Sequence, residues 1–85
     1  MRATIKRYVK ERDEMLQKCS VEALEEFAKS HAQFFPKGFT EMFASASYGV
    51  KEATLHKMIV SAVNLPADLR KASAIWLTSR GFSLW

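Results

Sequence analysis

His31 and His56 are the side chains in this sequence that exchange a proton near neutral pH, and Cys19 is its one thiol. Catalysis by either histidine requires a second group held within hydrogen-bond reach, and the sequence supplies no such group at a recognisable spacing. The two histidines fall on different predicted helices and there is a single cysteine, so no metal-ligand spacing is present and no metal or cofactor is expected. Cys19 cannot close an intramolecular disulfide and reads as a small apolar residue near a helix end. Glu22, Glu25 and Glu26 cluster without an evident partner and read as a solvated face. The glycines Gly38, Gly49 and Gly81 are predicted at turns, and no nucleophile elbow, phosphate loop or dinucleotide fingerprint occurs. These residues predict a protein that is not an enzyme and has no small-molecule substrate.

The elements that would position these residues are helical. Ile5, Tyr8, Val9, Leu16 and the alkyl stem of Arg12 recur at three- and four-residue spacing, which predicts a helix over 4–18. Ser20 is a candidate N-cap for a second helix over 20–35, whose inner stripe is Val21, Leu24, Phe27, Ala28, His31 and Phe34, until Pro36 and Gly38 break the pattern. On that stripe His31 is expected to be packed and hydrogen-bonded. Farther along, Phe39, Met42, Phe43 and Ala46 form one stripe and Leu55, Met58, Ile59, Ala62 and Val63 form another, out of register with the first. Two helices, 40–47 and 51–62, joined by a turn around Tyr48–Val50, account for that shift. Pro66 starts a fifth helix, 66–80, with Asp68 in its first turn and with Leu69, Ala72, Trp76 and the pair Ser73, Leu77 inward; Gly81 and Phe82 then suit a left-handed cap with an apolar contact.

Strands need alternation or β-branched runs, and neither is found. The expected fold is all-α: a compact bundle of about five short helices, forming a single domain over 1–85. The expected anchors are Ile5, Val9, Leu24, Phe27, Phe43, Leu55, Ile59, Leu69 and Trp76. With 48% apolar residues and 26% charged residues the chain is too apolar to be disordered. No apolar run approaches the ~20 residues of a membrane span and the charged Met1–Lys10 segment does not suit a signal peptide, so a cytoplasmic location is expected.

The stretch Glu41–Val60, EMFASASYGVKEATLHKMIV, resembles the helix-turn-helix of bacterial and phage DNA-binding proteins. In that alignment Gly49 takes the place of the turn glycine, small Ala44 and Ser45 allow a close helix crossing, and Leu55 and Met58 hold the second helix. The resemblance implies that Lys51, Glu52, Ala53, His56 and Lys57 point outward to base edges or phosphates, with Thr54 near the DNA backbone. It also implies a dimer, since one such module has limited contact area.

The net charge of +4 fits a DNA partner, but it is unevenly spread. Residues 1–19 carry six Lys/Arg against three acids, whereas residues 20–35 carry Glu22, Glu25 and Glu26 against Lys29. Under the DNA reading Arg2, Lys6, Arg7 and Lys10 add phosphate contacts. The alternative is a regulatory or accessory protein acting by protein-protein contact, through the acidic second helix or the apolar end Phe82, Leu84 and Trp85. Compact, basic, all-helical chains of this size resemble phage-encoded regulators of host processes and lysis. Both partner classes, and a homodimer, follow from the sequence.

Overall fold

The computed structural model describes residues 3–82. Its five α-helices are α1 (Ala3–Gln17), α2 (Val21–Ser30), α3 (Phe39–Ser45), α4 (Tyr48–Ser61) and α5 (Ala67–Ser79), with a 3-10 turn at Ala32–Phe34; no strand occurs among the described residues. The all-α expectation holds. A radius of gyration of 12.7 Å lies close to the ~12 Å of a packed chain of this length.

Local chemistry explains most element ends. The Ala23 N–H donates to Ser20 Oγ at 3.2 Å, so Ser20 caps α2 as its residue type predicts, and Cys19 just before it takes a left-handed φ of 50°. Cys19 stands near the end of α1, as expected, and is exposed. At the other end of the chain Gly81 adopts φ +79°, its N–H donates to the Thr78 carbonyl, and the Phe82 N–H reaches the Leu77 carbonyl at 2.9 Å. This pair of bonds is the Schellman cap that the order Arg80–Gly81–Phe82 predicts.

Two boundaries differ. The second helix stops at Ser30, not near Phe35, because His31 leaves the helical conformation while its ring stacks on Phe27 at 4.2 Å. The tighter turn that follows brings Phe34 onto Tyr8 at 4.3 Å. The break between α3 and α4 falls at Ala46–Ser47, not at Tyr48–Val50: Ser47 is the N-cap, accepting from the Val50 N–H at 3.4 Å, and Gly49 lies inside the first turn of α4. A capping hydroxyl satisfies an otherwise orphaned donor, and no left-handed residue is needed there.

The core gathers Met15 and Leu16 of α1, Val21, Leu24 and Phe27 of α2, Phe43 of α3, Leu55 and Ile59 of α4, then Ala62 and Leu65. Of the expected anchors, Leu24, Phe27, Phe43, Leu55 and Ile59 are buried, Val9, Leu69 and Trp76 are half-buried, and Ile5 is 39% exposed. The miss at Ile5 has a geometric cause. Helix α1 has 15 residues, about 22 Å, and its partner α2 has 10, about 15 Å, so the first turns of α1 extend past the element that would cover them. On α5 the buried pair is Ser73 and Leu77, one position along from Trp76, and Ala72 is exposed.

Candidate partner-binding surface

Helix α4 carries the six residues that the helix-turn-helix resemblance points outward. It packs most extensively on α5 and also touches α2 and α1. Lys51 turns toward α2, with Nζ 3.6 Å from Glu25 Oε2 and 5.7 Å from the centre of the Phe43 ring. Ala53, expected to face outward, is 5% exposed and sits inside the fold. His56 faces α5: its Nδ1 lies 2.9 Å from Ser73 Oγ and its ring stacks on Trp76 at 4.3 Å. Burial holds the His56 pKa below its ordinary value, Glu52 opposes that shift and Arg80 adds to it. Glu52 is half-buried.

Thr54 and Lys57 are the two that reach an open surface. With Arg12, Met58 and Ser61 they line a groove of about 270 Å³ between α1 and α4. Its polar groups are largely engaged already: Thr54 Oγ1 donates to the Val50 carbonyl, Ser61 Oγ to the Lys57 carbonyl, and Arg12 to Asp13 at 2.9 Å. The structure therefore separates the six residues, placing two along one stripe, one in the core and the others against or beside neighbouring helices.

Of the apolar end, Phe82 is half-buried and stacks on Trp76 with ring centres 6.1 Å apart, while Arg80 places its guanidinium 4.3 Å from the Trp76 ring centre. Phe82 serves the helix cap and the α4–α5 stack. Leu84 and Trp85 lie outside the described residues, as does Arg2.

Helices α1 and α2 form an antiparallel hairpin with a second, larger groove of about 640 Å³ along one side. Met15 and Phe27, both buried, and half-buried Ala23 lie beneath it, Glu11, Glu14 and Lys18 stand on the α1 rim, and Glu22, Glu26 and Ser30 on the α2 rim. His31 closes one end as a packed, bonded histidine, as its place on the stripe predicts, with Nδ1 3.1 Å from the Phe27 carbonyl and Nε2 3.0 Å from Glu11 Oε1. The hydrogen bond from His31 holds the Glu11 carboxyl below its ordinary pKa, with burial opposing and Arg7, 3.3 Å away, assisting. Glu11 and Glu14 lie off the apolar stripe of α1, and the sequence did not single them out. Their pairing with Glu22 and Glu26 on α2 depends on how the hairpin closes.

No known protein family, curated protein or solved structure matches the chain.

Proposed function

We propose that this chain is a non-catalytic accessory or regulatory protein that acts by contact with another protein. The observation that carries this reading is the engagement of α4. From Lys51 to Val60 every residue is buried or half-buried, and Lys51 and His56 are committed to α2 and α5. A recognition helix enters the major groove with several side chains projecting beyond its own fold, whereas of the six residues only Thr54 and Lys57 reach an open surface, and a helix so engaged suits the role of a central packing element. Large apolar side chains are displayed outside that span, including Met42 on α3, Tyr48 at the first position of α4 and Ile75 on α5, each more than half exposed. Apolar and aromatic groups in the open suit a protein surface better than a phosphate backbone.

DNA binding remains the second reading. It is favoured by Lys57 beside Thr54 and Arg12 on one groove and by the exposed Lys6, Arg7 and Lys10 on α1. A titration with mixed-sequence duplex DNA over a salt series separates the two. The protein-contact reading expects negligible affinity at physiological salt, whereas affinity that falls steeply with salt, by release of counterions, would replace it with the DNA reading.

A further inference from the structure

We infer that this chain pairs with a second copy of itself, the exposed first turns of α1 in one copy resting on the Tyr48 corner of the other. The overhang of α1 past α2 leaves Ile5 39% exposed, with exposed Lys6 beside it and exposed Lys10 about one turn on. Among the described residues no carboxylate lies within 4.0 Å of either ammonium. The start of α4 offers the complement. Tyr48 is 56% exposed and Val50 45%. Glu52 follows Tyr48 by one helical turn. Glu22 stands across from Tyr48 on α2, for it precedes Glu25 by one turn as Tyr48 precedes Lys51, and Glu25 meets Lys51 at 3.6 Å. The field of Glu22 raises the Tyr48 hydroxyl above its ordinary pKa, with desolvation and Glu52 adding to it. Neither carboxylate has a basic side chain within 4.0 Å among the described residues.

Each patch thus joins exposed apolar surface to unpaired charge, and the two charges are opposite. They cannot meet within one copy. Helix α1 runs antiparallel to α2, α2 runs in the same sense as α4, and Arg12 of α1 already lies beside Lys57, Met58 and Ser61. The overhang therefore points away from Tyr48, toward the other end of a helix of 14 residues, about 21 Å. Two copies side by side in opposite directions bring each overhang to the other's corner, so a two-fold axis makes the contact twice and leaves neither patch open. Ile5 then covers the Tyr48 ring while Lys6 faces Glu22. A second copy is the occupant because the chain itself holds both halves of the match, in apolar surface and in charge. The contact holds whichever further partner the chain takes.

Sedimentation equilibrium of the full chain over a concentration series reads the pairing. A reversible monomer-dimer equilibrium is expected. Lys6→Glu, Glu22→Lys and Tyr48→Ser, each alone, are expected to weaken it about tenfold, because each change is felt at both contacts. The control Lys71→Glu, at an exposed position of α5, is expected to change it less than twofold. An equal mixture of Lys6→Glu and Glu22→Lys is the decisive arm. In the mixed pair both contacts again join opposite charges, so dimerisation close to that of the parent chain is expected from two variants that pair poorly alone. Circular dichroism checks that each variant is as helical as the parent, and Tyr48→Ser, at an exposed first helical position, keeps the test open where a charge variant is not. A chain that stays monomeric at concentrations on the order of 1 mM, assemblies that grow past the dimer, or a mixture no better than its two components would overturn the assignment. Equal weakening by Lys71→Glu would overturn it as well, since the effect would then belong to net charge and not to a contact.

Discussion

The ammonium of Lys51 lies 3.6 Å from the Glu25 carboxylate, and this ion pair fastens α4 to α2 with both side chains largely withdrawn from solvent, 16% and 26% exposed. A residue whose type suggests an outward contact with phosphate is used inside the fold. Lys51→Ala should therefore lower stability by about 1 kcal/mol, through the lost pair and the lost contact with Phe43. Urea denaturation reads this directly. A midpoint identical to that of the parent chain would show that Lys51 is available for a partner.

Gly49 and Gly38 should respond in opposite directions to a methyl group. Gly49 lies within α4 with nothing within 4 Å of a Cβ placed there, so Gly49→Ala should stabilise by about 0.5–1 kcal/mol. Gly38 holds φ +82°, where an L-residue is strained, and Gly38→Ala should destabilise by about 1 kcal/mol. Thermal melts of the two variants suffice. A lower melting temperature for Gly49→Ala would return that glycine to a turn.

Burial ranks the large side chains differently from their size. Phe43→Ala should cost about 3–5 kcal/mol and Leu77→Ala about 2–5 kcal/mol, since both are essentially inaccessible. Trp76→Ala should cost less than Phe43→Ala because the indole is half-buried, and Ile5→Ala should stay under about 1 kcal/mol. Denaturant midpoints that place Ile5 above Leu77 would mean that the first turns of α1 are covered in solution.

Acid should weaken the fold in two separate windows. Burial disfavours the His56 imidazolium, so the folded chain holds that proton less tightly than the unfolded chain does. The stability linked to His56 is complete above its ordinary value of 6.5 and is lost as pH falls below it. Glu11, lowered chiefly by its hydrogen bond from His31, contributes stability above its ordinary value of 4.5 and loses it in more acid solution. Chemical denaturation from pH 8 to pH 3 should show that His56→Gln flattens the upper step and Glu11→Gln the lower one. An upper step unchanged in His56→Gln would assign it to another group.

Much of the architecture was written locally. The apolar spacing in each helix, the hydroxyl of Ser20, the Pro36–Gly38 break and the Gly81–Phe82 cap act within a few residues of themselves, so the sequence by itself determined an all-helical chain and most of its helix ends. Contacts across the fold decided the rest. The ring of His31 ends α2 early because Phe27 and Glu11 hold it. Ser47, not Gly49, starts α4, since a hydroxyl cap and a turn glycine are competing solutions that spacing alone does not rank. Ile5 lost its cover because α2 is shorter than α1. Helix α4 is the clearest case: one side, Leu55 and Ile59, enters the core, while Ala53 is buried and His56 is held against α5. A helix wrapped by several neighbours has no single apolar face, and a one-dimensional pattern cannot say which of its polar side chains a neighbour will claim. The same limit hid the α1–α2 groove: the Glu22, Glu25 and Glu26 cluster was visible alone, but only closing the hairpin set Glu22 and Glu26 opposite Glu11 and Glu14, because charge separation in space depends on which helices pack and in which direction they run.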